Sequence, residues 1–271
     1  MAGSIEDARR WYAEELRFAA RVRSLAVIDA FAKVPRVRFV GPGPWRIKSP
    51  MRLQEYWTTE DVDPRHVYHD ALIAFDEPQG INNGQPSLWA LLLDELAIAP
   101  GEQVLHLGCG TGYYTAIIAE LVGLSGKVTA LEIDALLADK ARLALDPWPQ
   151  VTDRHADGSQ GTLDPVHAIV ASAGATHPPG LWLDAQTGRT AAVSNDNGPR
   201  RSRCCVIAVP WKRERMDSPL SVPGRLYPLR GRPRSGHWPQ ACRGPAARLG
   251  RCRQIAAARP PSERPNLLAA Q

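Results

Sequence analysis

Three glycines at alternate positions, Gly108, Gly110 and Gly112, separate an apolar run ending at Leu107 from a helix-like run beginning at Tyr113, within VLHLGCGTGYYTAIIAE. Glycines at such a junction let the chain turn tightly and let a ligand approach the backbone. The dinucleotide fingerprint G-x-G-x-x-G is not met, because the third glycine comes at Gly112 and position 113 is Tyr. A dinucleotide sets a pyrophosphate on the helix N-terminus, whereas S-adenosylmethionine presents only an amino-acid carboxylate and a sulfonium, and the G-x-G-x-G form fits the latter. The next apolar run ends at Glu132, 22 residues beyond Gly110. A carboxylate there can accept hydrogen bonds from both ribose hydroxyls; the alternative is a solvated charge at a strand end.

The elements that must position these residues alternate. EQVLHLG, GKVTALE and HAIVASAG read as strands; YYTAIIAELVG and DALLADKARLAL, the latter capped by Asp134, read as helices. Alternation of this kind predicts an α/β fold, a Rossmann-like doubly wound parallel sheet. Upstream, Pro86 suits the first turn of a buried helix over Leu88–Ile98. Ser4 and Asp7 form a capping pattern, and Trp11, Leu16, Phe18, Ala19 and Val22 recur at helical spacing, so this first helix is expected to pack on the main domain. A short helix stopped by Pro35 follows, then an extended piece and a Gly/Pro loop. Three segments result: a helical and loop extension over 1–80, a cofactor-binding domain over 81–190, and a tail over 191–271.

Charge divides the chain in the same way. Residues 200–271 hold 15 Arg and one Lys against three acids, a net +13 within a chain of +5, which leaves −8 upstream. The tail also holds four of the five cysteines, none in a C-x-x-C pair, and no His/Cys cluster has zinc-site spacing, so no metal is expected. No apolar run approaches the roughly 20 residues that span a bilayer, and the chain reads as cytoplasmic. The tail carries 11 of the 24 prolines and no regular period, a composition expected to be of low order.

VLHLGCGTGYYTAIIAELVG, GKVTALEID and HADG, with the upstream VPRVRFV and GQPS in the same order, resemble the protein-L-isoaspartate O-methyltransferase family of S-adenosylmethionine-dependent enzymes. The resemblance runs from about Val27 to Asp184. It implies that His106, Gly108, Cys109, Gly110, Thr111 and Gly112 line the methionine end of the cofactor, Glu132 the ribose, and Asp157 with Gly158 the adenine edge. It further implies methyl transfer to a carboxylate of damaged aspartyl residues in a protein or peptide, or to a related group. A cofactor-binding remnant and a nucleic-acid-modifying enzyme are the alternatives, the second disfavoured because the basic tail lacks interleaved aromatics.

Three positions depart from the family pattern. Gly84 stands where the family carries an active-site hydroxyl, His106 where it usually has an acid, and His167 where an Asp commonly opens the fourth strand. Asn82, Asn83, Gln85 and Ser87 are candidates for shaping the acceptor pocket, with Asn83, Gln85 and Ser87 the candidate catalytic set; the alternative is that they cap the following helix. His106 and His177 are possible bases or structural residues.

Beyond Asp184 the family's fifth strand is replaced by QTGRTAAVS. Codons read one base later from Ala185 permit Leu, Lys or Arg, Pro, Gly, Gly, Arg, Leu, Leu and Phe, matching the family's turn and strand. A change of frame near Gln186 is therefore expected to truncate the sheet after its fourth strand, leaving that strand an exposed edge in a poorly cooperative chain.

Overall fold

The computed structural model describes residues 3–52, 55–172, 180–195, 204–209 and 226–228, all within one compact unit, Met1–Arg234. In chain order its elements are α1 (Ile5–Ala20), α2 (Leu25–Lys33), β1 (Arg46–Lys48), β2 (Trp57–Thr58), β3 (Leu72–Asp76), β4 (Ile81–Asn82), α3 (Pro86–Leu96), β5 (Gln103–Leu107), α4 (Tyr113–Val122), β6 (Lys127–Glu132), α5 (Ala135–Leu145), β7 (Val151–His155), β8 (Val166–Ala171), α6 (Gly180–Ala185), β9 (Gln186–Asn195), β10 (Cys204–Val209) and β11 (Leu226–Pro228). Among the described residues no helix is long and apolar enough to cross a membrane.

Seven strands form the main sheet in the order β11-β10-β9-β8-β5-β6-β7, parallel from β7 to β9 and antiparallel beyond. From β5 the chain steps through β6 to β7 on one side, then returns to β8 on the other. The strand order thus reverses between β5 and β8, and a crevice opens outside their carboxyl ends, where ligands of such sheets lie. Val104, Leu105, Leu107, Ala168, Ile169 and Val170 are all buried, as central parallel strands covered on both faces require.

Two expectations about this sheet need correction. It does not end after the fourth strand: QTGRTAAVSN pairs in parallel with β8, and β10 and β11 extend the sheet, so β8 is interior. Backbone hydrogen bonding to an open strand edge overrides a small and polar side-chain pattern, because sheet propensity depends on context. The frame change expected at Gln186 coincides with the α6–β9 junction. Of the tail expected to be of low order, 191–195, Cys204–Val209 and Leu226–Pro228 are strand, and the remainder lies outside the described residues. The other strand, β7, is half-exposed at the sheet edge, and its VTDRH sequence carries no apolar run to announce it.

The N-terminal part is more than helix and loop. Between α2 and α3 a four-stranded antiparallel sheet runs β2-β1-β3-β4. Ser4 and Asp7 close a full capping box on α1, and Ser24 caps α2. The buried face of α1 is Tyr12, Ala13 and Leu16, whereas Trp11, Phe18 and Ala19 point to solvent, contrary to the expected packing face. That face joins the main domain's core: Tyr12 and Phe31 meet edge to face, Phe31 meets Tyr113 and Tyr114 of α4, and Lys33 Nζ pairs with Glu120 at 2.6 Å. The buried Asp94 of α3 accepts the backbone N–H groups of Arg23 and Ser24 at 3.1 and 2.8 Å, fixing the turn between α1 and α2.

Leu16 is fully buried and Phe18 is 89% exposed. Leu16→Ala is therefore expected to cost about 2–5 kcal/mol, and Phe18→Ala to stay within about 0.5 kcal/mol. Urea midpoints of the two variants check this; a larger loss in Phe18→Ala than in Leu16→Ala would mean that α1 packs through its other face.

Candidate functional site

The loop after β5 enters the left-handed region three times in five residues, at Gly108 (φ 67°), Gly110 (φ 57°) and Gly112 (φ 93°). The second and third of these glycines serve different ends. A Cβ at Gly112 would come within 2.8 Å of Leu145 Cδ1, so its glycine lets α4 approach α5; a Cβ at Gly110 would meet nothing within 4 Å and would stand in the open crevice. The N–H groups of Gly108 and Cys109 donate to the carbonyl of Leu131 at 2.8 and 3.1 Å, which splices the loop onto the end of β6.

Glu132 completes that splice. Its Oε2 accepts the N–H of Gly110 at 2.7 Å and its Oε1 accepts the N–H of Asp134 at 3.0 Å. An ionised carboxylate has about four lone-pair sites, so each oxygen keeps one for a further donor. Thr111 is buried beside the loop, and burial, followed by the charges of Glu132 and Asp153, pushes the Cys109 thiol up to about 12, so it stays protonated.

Beyond β7, a Cβ at Gly158 would reach 2.6 Å from Leu107 Cδ2, so this glycine lets the β7–β8 connection close over the end of β5. Trp182 of α6 donates its indole N–H to the Gly158 carbonyl at 2.6 Å. The Asp157 carboxylate accepts from Ser159 N, Ser159 Oγ and Gln160 Nε2, and the Ser159 contacts hold it below its ordinary range. Asp157 shapes a turn at the crevice edge, beside Gly158.

His106, expected among the cofactor-lining residues or as a base, is fully buried in β5. Its Nδ1 lies 2.8 Å from Thr115 Oγ1 and its Nε2 2.8 Å from Ser172 Oγ, with the Trp89 ring edge-on at 6.2 Å. Both ring nitrogens are engaged inside the protein, so neither is left to touch a ligand or collect its proton. Ser172, which the sequence reading missed, follows β8 directly at the crevice and donates its N–H to the Leu107 carbonyl at 2.8 Å. A single hydroxyl after an apolar strand gives no signal of its own. His167 accepts from Gln103 N, at the opposite end of the strands, and His177 lies outside the described residues.

The candidate acceptor segment is held by the protein more than it caps the helix. Gln85 occupies the N-cap position of α3 without a side-chain cap bond, and its Nε2 donates to the Asp70 carbonyl at 3.1 Å. The capping carboxylate is Asp70, 17 residues upstream of Ser87, whose N–H it accepts at 2.8 Å. Asn82 Oδ1 accepts from Gly84 N, and Asn83 Oδ1 accepts from Ile73 N at 2.7 Å, while Asn83 Nδ2 is buried with no protein partner. Gly84 (φ 76°) has no room for a side chain, since a Cβ would sit 2.5 Å from Trp89 Nε1. Trp89 stacks on Tyr114 at 4.9 Å, and Tyr114 Oη donates to the Gly84 carbonyl at 3.1 Å. The acceptor segment is thereby tied to α4, the helix that the glycine loop opens.

Burial alone pushes His106 down to about 3 from an ordinary 6.5. The unfolded chain takes up this proton near pH 6.5 and the native one only near 3, so the stability it lends is complete above 6.5 and is lost as pH falls between the two, at about 1.4 kcal/mol per pH unit. Denaturant midpoints from pH 7.5 down to about 4.5 are expected to fall more steeply in the wild type than in His106→Gln by that slope. Parallel curves would show that the imidazole is not held neutral.

The model of the family described as "Protein-L-isoaspartate(D-aspartate) O-methyltransferase (PCMT)" matches residues 12–189, from within α1 into β9. Among curated proteins, the protein-L-isoaspartate O-methyltransferase of Methanothermobacter thermautotrophicus is 31% identical over 181 residues, 64% of this chain and 72% of its own. Four such relatives, this one included, are spanned over 62–74% of their own length. Protein-L-isoaspartate O-methyltransferase 2 of an Anaeromyxobacter species is 30% identical over 235 residues, 83% of this chain and 84% of its own, so that similarity runs past Arg189. A Plasmodium falciparum beta-aspartate methyltransferase (PCMT) structure, in complex with S-adenosyl-L-homocysteine, shares the fold at a TM-score of 0.56 and 16% identity, covering 73% of this chain and 88% of that one. With the glycine loop, the strand-end carboxylate and this extent of match, the chain belongs to the protein-L-isoaspartate(D-aspartate) O-methyltransferase family.

Proposed function

We propose that this chain transfers the methyl group of S-adenosylmethionine to the side-chain carboxylate of isoaspartyl or D-aspartyl residues in a protein or peptide, leaving a methyl ester. The observation that carries the reading is the buried Glu132 carboxylate at the end of β6, fixed by Gly110 N on one oxygen and Asp134 N on the other, which by lone-pair count leaves each oxygen able to accept once more. Two adjacent hydroxyls of a ribose suit those lone pairs, and the open backbone at Gly110 admits the methionine end without side-chain obstruction. Gly158 and the Asp157 turn border the adenine on this reading. The bound cofactor supplies an electrophilic methyl on a sulfonium.

The methyl acceptor's requirements fit the rest of the site. A carboxylate is already nucleophilic at neutral pH, so the chain has to orient it and exclude water more than deprotonate it. A neutral His106 with both nitrogens engaged is no general base, which suits such an acceptor. Asn83 Nδ2, buried without a protein partner, is the unsatisfied side-chain donor of the 82–87 segment, and reaching an acceptor would require it to be uncovered. Gln85 and Ser87 hold that segment in place through Asp70.

The test is methyl transfer from methyl-labelled S-adenosylmethionine to an isoaspartyl peptide, with the aspartyl peptide of the same sequence as control. Base-labile label in the first alone supports the proposal, and its absence from both defeats it. By calorimetry, Glu132→Ala is expected to weaken S-adenosylmethionine binding by about 10- to 100-fold, the value of hydrogen bonds to a charged group. Gly110→Ala should weaken it as well, whereas Gly112→Ala should chiefly destabilise the fold, by about 2 kcal/mol or more. Unchanged affinity in a folded Glu132→Ala variant would remove Glu132 from the site.

A further inference from the structure

The most deeply buried charge among the described residues makes no ion-pair contact, and the one carboxylate whose charge acts on it is that of Asp70. Arg36, on the turn after Pro35 in VPRVRFV, is fully buried. Its Nη1 donates to the carbonyls of Val67 and His69 at 2.8 and 2.7 Å, and its Nη2 to the carbonyl of Ala71 at 2.6 Å. The guanidinium carbon lies 5.6 Å from the centre of the Tyr12 ring and 5.8 Å from that of Tyr113, while Nε finds no protein acceptor. Burying a cation with no carboxylate in contact is costly even when carbonyls, ring faces and the charge of Asp70 compensate. Packing alone would be served better by an apolar side chain.

The arrangement of the three carbonyls shows what the fork holds. They belong to alternate residues of one stretch, 67–71, and the residue between the second and third is Asp70. That residue holds the acceptor segment twice, through its carbonyl to Gln85 Nε2 and through Oδ1 to Ser87 N. Three residues beyond Asp70, Ile73 exchanges bonds with Asn83: its carbonyl accepts Asn83 N at 3.0 Å and its N–H donates to Asn83 Oδ1. The order of support therefore runs from Arg36 to 67–71, from there to Asp70, and from Asp70 to the start of α3. A lysine, with one nitrogen on a flexible stem, could not span carbonyls two and four residues apart as the planar guanidinium does.

We propose that Arg36 is a positioning residue for methyl-acceptor binding: it clamps the 67–71 stretch and, through Asp70, fixes the 82–87 segment without touching either ligand. This rests on the reading of 82–87 as the acceptor side of the site. Arg36→Lys and Asp70→Ala are made in the full chain, and three quantities are read for each: hydrogen exchange over 82–92 and over 104–120, S-adenosylmethionine affinity, and the KM and kcat for the isoaspartyl peptide. Both variants are expected to speed exchange over 82–92 by about tenfold, the effect of one lost charge-assisted bond, and to leave the glycine-loop exchange and the cofactor affinity within about twofold. They should raise KM for the peptide by about tenfold with kcat changed far less.

Asp70→Ala removes one half-buried side chain and tests the link from Asp70 to Ser87, while Arg36→Met, which keeps the aliphatic stem and loses the three donors, tests the clamp if Arg36→Lys fails to fold. Wild-type exchange over 82–92 in a folded Asp70→Ala variant overturns the proposal. So does a fall in cofactor affinity and kcat together with the rise in KM, which is what general destabilisation would give. Should the wild type methylate no isoaspartyl peptide, the proposed function fails, while the exchange measurement still decides whether the clamp exists.

Discussion

A carboxylate at the end of β6 and a backbone amide in the loop after β5 meet at 2.7 Å, and the geometry of the crevice follows from that contact. The glycine loop has no side chains with which to hold its own shape, and three left-handed residues in five are adopted only when neighbours dictate them. Glu132 and the Leu131 carbonyl supply that dictation from the adjacent strand. Glu132 thus sets the loop's backbone from the neighbouring strand, and the ribose contact proposed for it would draw on the same two oxygens. A change at this position would therefore alter the shape of the glycine loop itself.

The second constraint is that the 82–87 segment must keep register with the glycine loop, although it comes from a different part of the chain. Helix α4 does this. Its first residue, Tyr113, reaches back to Tyr12 of α1 at 3.3 Å between hydroxyls, and its second, Tyr114, donates to the Gly84 carbonyl while stacking on Trp89. Burial raises both tyrosines well above their ordinary range, so the hydroxyls remain protonated donors. The N-terminal helices are therefore part of the site's frame: their core is continuous with that of α4.

The parts of this frame that the sequence announced are those fixed locally. The strand–glycine–helix junction, the Asp134 cap, Pro86 at the first turn of α3 and the Ser4 capping box each depend on residues within a few positions of one another. What it concealed depends on partners distant in the chain. Asp70 caps a helix 17 residues away, Arg36 serves carbonyls more than 30 residues away, and Ser172 matters only because β8 returns beside β5. β9 forms because β8 offers an open edge, which no window of QTGRTAAVSN reveals. On α1, Trp11 and Phe18 are apolar yet outward, because an apolar residue's helical phase says which residues share a face and not which face the core will take.

Gly84 illustrates why a missing group need not mean a missing function. The absent hydroxyl looks like a loss in the sequence, but the place of its Cβ is taken by Trp89 Nε1, and the backbone there adopts a positive φ that side chains disfavour. The substitution and the tryptophan are therefore one packing solution; restoring a hydroxyl residue at 84 would require Trp89 to leave Tyr114 and His106. The neighbouring Asn83 holds its Nδ2 buried without a protein partner, a polar atom that is costly to leave unpaired in a low-dielectric surrounding. The departure at 84 is thus accounted for by the packing of Trp89, and the 82–87 segment keeps its anchorage through Asp70, Ile73 and Tyr114.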